Sequence, residues 1–229
     1  KLVQAFASKD QRGFITPAEF NLMAQQAELE LYNERLQVVM EGFQLKKNAG
    51  YYNKTFTPII AEQDINPFYN HDSFTATGKD SNKRSQIDVD TDYIRSLSTL
   101  KSGSTKIPDT AIDIVNPENV SQLLKSSLVK PSTSYPVALI SGSGNIELFP
   151  KLSSKILVSH YYYNNIPNWG YVTVAGKPVY SSGASTQFKI SSRCHGELVI
   201  KILGYLGVSI READLVNYAQ NKEAEQDKQ

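Results

Sequence analysis

A capped helical signal occupies the N-terminal fifth of the chain and constrains what the rest can build. Thr16-Pro17-Ala18-Glu19 is a capping box with Pro at the first helical position. The Thr16 hydroxyl can accept from an orphan N–H, and the Glu19 carboxylate can reach back to the cap. Beyond it, Phe20, Met23, Ala24, Ala27, Leu31, Val38, Val39 and Phe43 recur at mostly three- and four-residue spacing. Gln25, Gln26, Glu28, Glu30, Asn33, Glu34 and Arg35 lie between them. The pattern predicts an amphipathic helix of roughly 25–30 residues. Gly42 or Asn48-Ala49-Gly50 is the expected stop. A short helix over Leu2–Ala7 is expected before it.

The texture changes at Tyr51. Tyr51, Tyr52, Phe56, Thr57, Ile59 and Ile60 have strand character. Residues 62–86 are polar and read as a long loop, containing Asn66-Pro67, Thr77-Gly78 and the charged run Lys79–Ser85. Asn116-Pro117-Glu118 starts a short helix with Val120, Leu123 and Leu124 on one face. Between Tyr135 and Ile190 the pattern is that of an antiparallel sheet. Val137–Ile140 and Ile146–Phe149 flank a Gly/Ser hairpin, followed by strands over Ile156–Tyr163 and Tyr171–Val174 and a turn at Ala175–Pro178.

The chain then returns to helix, with Leu198, Val199, Ile202, Leu203 and Leu206 as an apolar stripe ended by Gly207. A second short helix is expected over Arg211–Ala219, and over Asn221–Gln229 a solvated tail or a segment ordered only by a partner. Helices, then strands, then helices argue for an α+β fold whose helical ends pack together as a bundle. The expected parts are 1–50 (helical), 51–191 (β-rich, antiparallel) and 192–229 (helices and tail, packed on 1–50).

Composition narrows the function classes. Across 229 residues, Lys+Arg minus Asp+Glu is 24 − 23 = +1, so bulk charge does not gather nucleic acid. One cysteine, Cys194, excludes an intramolecular disulfide framework and a multi-cysteine zinc site. No apolar run approaches the roughly 18 residues of a membrane span, and the start is too short in apolar residues to read as a signal peptide.

The local motifs argue against chemistry rather than for it. Ser8–Glu19 has the glycine, aliphatic and Glu places of a calcium loop, but Arg12 puts a cation where an oxygen ligand belongs. It reads as a turn entering the capped helix. Gly142-Ser143-Gly144 lacks the helix and Lys of a phosphate loop and reads as a hairpin turn. Cys194-His195 are sequence neighbours, which do not face each other on a helix, and Cys194 reads as structural. His71 and His160 have no motif linking them to it.

Asp88, Asp90 and Asp92 alternate, so on a strand they would share a face and could hold a divalent cation. The bland reading is a solvated edge. Tyr161-Tyr162-Tyr163 through Trp169 is the most aromatic stretch, suited to core and subunit interface, or to stacking on sugars. For an enzyme, only Asp88, Asp90, Glu147 and His160 would be candidates, and none has a partner at a recognisable spacing. No catalytic, cofactor or metal residue is assigned, and no cofactor is expected.

The order of motifs is informative. Asp10–Asn21 followed by Ala24 and Ala27, Lys130–Val137, Ile146–Pro150, Tyr163–Trp169 and Glu197–Glu212 together resemble virion structural proteins of short-tailed Bacteroidetes phages, including crAss-like phages. The likeness spans most of the chain and is weakest over Gln63–Ser104. One departure is Asn164-Asn165, where that group often carries a basic residue and Pro. The resemblance implies a non-enzymatic head–tail connector, a portal adaptor or ring protein in the virion at the portal–tail junction, assembled in the host cytoplasm. It implies a homo-oligomeric ring of about twelve copies closed by head-to-tail contacts. The portal and the next tail ring would be its partners. DNA would pass through without sequence readout, and no membrane would be involved. The alternative is a carbohydrate-binding or decorating module using the tyrosines and Trp169.

Overall fold

The computed structural model describes residues 16–49, 56–80, 84–104, 106–141 and 144–209. The expected elements at Leu2–Ala7, Arg211–Ala219 and Asn221–Gln229 lie outside these residues. The fold is mixed α+β, with a large, mostly antiparallel sheet and helices. The chain divides into two compact units: Tyr69–Tyr163, and Lys1–Phe68 together with Asn164–Gln229. The stretch 51–191, read as one β-rich part, therefore yields both of its ends to the helical unit.

In the helical unit, α1 (Pro17–Ala49) runs for 33 residues, longer than its pattern suggested. Thr16 and Glu19 form the capping box: Glu19 N–H donates to Thr16 Oγ1 at 3.3 Å, and Thr16 N–H donates to Glu19 Oε2 at 2.9 Å. Gly42 does not end the helix. One interior glycine costs about 1 kcal/mol, less than the bonds lost by stopping there. Ala24, Ala27, Leu31, Tyr32 and Val39 form the buried stripe.

Phe56–Ile60, read as strand, and the first residues of the expected loop after them instead form α2 (Phe56–Asp64). Pro58 sits in its first turn, where a missing N–H costs nothing. Ala61, Ile65 and Phe68 are buried, and Phe68 packs on Tyr32 with ring centroids 4.9 Å apart. The last described helix of this unit is α4 (His195–Ser209). Its Leu198, Ile202 and Leu203 are buried. Lys201 Nζ lies 2.9 Å from Glu34 and 3.5 Å from Glu30 of α1, and Tyr205 donates to Glu30.

The sheet unit contains β1 (Tyr69–Thr75), β2 (Thr77–Asp80), β3 (Arg84–Asp88), β4 (Tyr93–Leu100), β5 (Pro108–Ile114), α3 (Pro117–Lys125), β6 (Val137–Ser141), β7 (Asn145–Phe149) and β8 (Lys155–Tyr161). The expected polar loop over 62–86 is corrected here, because most of it is strand. β1 forms one edge of the sheet, with His71, Asp72, Ser73 and Thr75 exposed, so its polarity reflects an edge position rather than a loop.

Strand order is β1-β8-β4-β5-β6-β7-β3-β2. Only β5 and β6 run parallel, and α3 lies in their connection. β8 is buried from Ile156 to Tyr161 because it is paired on both sides. β1 also approaches β3, so the sheet rolls around one core. That core draws Ile87, Leu97, Ile112, Ala138, Ile146, Ile156 and Val158 from six strands, with Phe74 of β1 packed against it. A smaller cluster of Val120, Val137 and Phe149 seats α3 on the sheet's other face.

Candidate interaction surfaces

The irregular stretch 164–190 is strapped onto α1 by polar side chains that recur along one stripe, at 21, 25 and 28. Asn21 Nδ2 donates to Asn168 Oδ1 at 2.7 Å, and Asn21 Oδ1 accepts from Trp169 N–H at 2.7 Å. Gln25 Nε2 donates to the Pro167 carbonyl at 3.2 Å. Glu28 is fully buried. Its Oε1 accepts from Lys189 N–H at 2.6 Å and Ile190 N–H at 3.0 Å, and its Oε2 accepts from Asn165 Nδ2 at 2.8 Å. Gln25 and Glu28 were read only as polar positions of an amphipathic helix, and Asn21 was not singled out for its side chain. The signal that marks them is their i, i+4, i+7 spacing, which places all three on one stripe.

From this strap rises a hairpin, β9 (Tyr171–Val174) and β10 (Lys177–Tyr180), which pairs with no other described strand. Its base is tied by Ser181 N–H donating to the Gly170 carbonyl at 2.9 Å and Gly170 N–H donating to Ser185 Oγ at 3.0 Å. Its turn places Ala175 at φ 50° and Gly176 at φ 77°, the paired left-handed residues of a tight hairpin. Tyr171, Val172, Val174, Val179 and Tyr180 are each between 42% and 56% exposed.

Beside the hairpin base is a mostly apolar cavity of about 950 Å³. Phe20 and Ala24 of α1, Leu198 and Ile202 of α4, and Trp169 and Phe188 of the strap line it, with Thr186, Gln187 and His195 as polar walls. Trp169 meets Phe20 edge-on, with centroids 5.9 Å apart. The sheet unit has its own exposed apolar group around the end of α3: Leu124, Leu128 (94% exposed), Val129 and Tyr135.

The residues singled out for chemistry are not gathered into a site. Of Ser8–Glu19, only Thr16–Glu19 lies within the described residues, and Thr16's hydrogen bonds hold the Glu19 carboxyl below its ordinary pKa as a cap. Gly144, at φ 81°, belongs to the turn between β6 and β7, and a strand follows it rather than a phosphate-binding helix. Gly142 and Ser143 lie outside the described residues.

The three aspartates do not line one strand face. β3 ends at Asp88 and β4 begins at Tyr93, so only Asp88 of the three lies on a strand. Asp88 accepts from Gln86 Nε2 at 2.8 Å, and Asp92 accepts from Tyr163 N–H at 2.7 Å. Glu147 takes Arg84 across the β3–β7 pair at 2.8 Å. Among the described residues, no group of three or more His, Cys, Asp or Glu is placed to hold a metal ion.

His160 is buried, and its Nδ1 finds no hydrogen-bond partner among the described residues. Burial lowers its pKa, against the opposing pull of the Val158 backbone and the Asp72 and Asp92 carboxylates. His71 Nδ1 lies 2.7 Å from Ser159 Oγ. Both histidines belong to the sheet unit, whereas Cys194 belongs to the helical one. Burial, with Asp64 next, pushes the Cys194 thiol up to about 12, so it is not a thiolate nucleophile. Around it, Arg35 joins Glu197 and approaches Asp64 at 3.6 Å, and Arg193 reaches Asp64 from the other side at 3.6 Å. Tyr161 is buried against Tyr69, with centroids 5.3 Å apart, while Tyr162 and Tyr163 lie beyond the end of β8 and are half-buried.

No described helix is long and apolar enough to cross a membrane. No family model matches the sequence, and no curated protein is significantly similar to it.

Proposed function

We propose that this chain is a non-enzymatic subunit of a phage virion, an adaptor that joins a portal to a tail as a homo-oligomeric ring and lines the DNA exit channel. The observation that carries the reading is apolar surface left open on both units: the β9–β10 hairpin on one, and Leu124, Leu128, Val129 and Tyr135 on the other. A monomer seldom leaves such groups uncovered, and a ring subunit has a neighbour on each side and another ring above or below. The near-balanced charge supports a conduit that does not grip phosphate. The helical ends, packed as a bundle, would carry contacts to the portal. The resemblance of the motif order to virion proteins, drawn from the sequence alone, gives the reading its setting.

The test is the solution mass of the full chain, alone and mixed with the portal of its own virion. Association at matching stoichiometry is expected. A chain that never joins the portal would remove the adaptor role. The carbohydrate reading keeps one supporting observation, Trp169 on the wall of a cavity with polar sides. Glycan binding by the wild type that is lost in a folded Trp169→Ala variant would revive it.

A further inference from the structure

We propose that the β9–β10 hairpin of one copy inserts into the Phe20–Trp169–Ile202 cavity of the next, and that this is the contact between neighbouring copies. The proposal rests on the ring reading for closure into a ring. The contact itself rests on the hairpin and the cavity.

The hairpin needs a cover. An isolated two-stranded hairpin is marginal in water. This one is tied to its unit at the base, while its turn stands clear: a Cβ on Gly176 would meet nothing within 4 Å. Residues directly opposite each other in an antiparallel pair share a face. Val172 lies opposite Val179 and Tyr171 opposite Tyr180, so one face carries the three valines, with Lys177 opposite Val174 at the turn end, and the other face carries the two tyrosines. Tyr180 lines the cavity of its own copy, so the valine face with Val172, Val174 and Val179 is the one free to leave.

The cavity needs an occupant of matching chemistry. Its floor is aliphatic and aromatic, and at about 950 Å³ it lies at the upper end of the range for small-ligand pockets. That is room for a secondary-structure element. Both halves of the complementary pair sit on one unit of one chain, and this selects a second copy over a foreign partner.

Area points the same way. The three half-exposed valines of that face offer roughly 200 Å² of apolar surface. A stable interface needs about 800 Å² per partner, so one such contact makes a weak dimer. A subunit in a ring gives its hairpin on one side and receives another in its cavity, which about doubles what it buries. Assembly should therefore pass from monomer to closed ring without a stable dimer.

The experiment uses the full chain. Val172→Lys places an ammonium in the middle of the valine face, away from Lys177 at its turn end. Gly196→Trp fills the cavity mouth, and a Cβ at Gly196 meets nothing within 4 Å, so the variant has room to fold. Each should raise the concentration for half-assembly about a hundredfold or more while leaving circular dichroism and melting unchanged. Independently, a Val179→Cys chain mixed with a Gly196→Cys chain under mild oxidation should give a disulfide-linked pair, alone or on the portal. Neither chain by itself should, since native Cys194 is buried and protonated.

Unchanged assembly in both Val172→Lys and Gly196→Trp, or assembly without the mixed disulfide, overturns the contact and leaves the ring reading standing. Disulfide pairs from Val179→Cys alone mean hairpin against hairpin and overturn it too. A wild type that stays monomeric and ignores the portal removes both.

Discussion

Replacing Glu28 tests whether the helical unit is held together as described. Its carboxylate is fully buried and accepts three hydrogen bonds, two of them from successive backbone N–H groups of the strap. In Glu28→Ala the Lys189 and Ile190 N–H groups lose these acceptors. Asn165 Nδ2 keeps its second bond, to the Gln187 carbonyl at 3.1 Å. An orphaned buried donor costs about 1–3 kcal/mol, so two orphans plus the vacated volume predict a loss of about 3–5 kcal/mol. Glu28→Gln is the finer probe. Its carbonyl can still accept from the two backbone N–H groups, but its amide then meets the Asn165 amide, donor against donor. About 2 kcal/mol is expected, which lowers a urea midpoint by roughly 1 M. The single tryptophan, Trp169, sits in the same strap and reports its release by fluorescence. A Gln variant within about 0.5 kcal/mol of wild type, at equal m-value, would refute the clamp.

Three further outcomes are expected. Gly170→Ala should lower the stability of the helical unit by about 1–3 kcal/mol in a thermal melt, because its Cβ would sit 2.3 Å from the Ala184 carbonyl carbon and oxygen; an unchanged midpoint would contradict that packing. Cys194 should resist a thiol reagent at pH 8 in the native chain and react fully in urea, since burial and Asp64 hold its thiol at about 12; rapid native reaction would contradict this. His160 binds a proton less readily folded than unfolded, so its contribution to stability is whole above the unfolded value of about 6.5 and falls as pH drops from there towards the lowered folded value. His160→Phe should flatten that part of the stability–pH curve, and a curve of unchanged slope would show that another group carries it.

What was legible in the sequence tracks how local the determining physics is. The α1 start follows from four consecutive residues, Thr16 to Glu19, whose own bonds make the cap. The β6–β7 hairpin follows from a glycine-bearing turn between β-branched runs; of the second hairpin β9 and the turn at Ala175-Gly176 were read, while β10, half of it taken as turn, was not. α2 was misread because Ile59 and Ile60 favour a strand, whereas Ala61, Ile65 and Phe68 bury themselves at helical and 3₁₀ spacing. The polar strands β1 and β2 were misread as loop because they are the two edges of the sheet, and an edge strand keeps few apolar residues. The unit boundary at Tyr163 was illegible for a stronger reason. The partner of Asn165 is Glu28, 137 positions away, and that bond helps assign the strap to the helices.

The same reasoning explains why no chemical motif led to the surfaces that matter here. A catalytic or metal site reveals itself by residue types that chemistry requires, whereas an assembly surface is made of ordinary Val, Tyr and Leu that differ from core residues only in being uncovered. Val172 and Val158 are the same residue on a strand in the sequence, but Val158 is sealed in the rolled sheet and Val172 is half open on a free hairpin. Polar residues invert the rule. Glu28 looks like solvent face and is the most deeply buried acid among the described residues, because the strap brings three donors to it. The buried clamp fixes the strap to α1, and the strap carries both the hairpin and Trp169 of the cavity wall. Loosening Glu28 should therefore weaken copy-to-copy association more than the lost folding stability accounts for. In the proposed ring, that would link the fold of one subunit to the assembly of many.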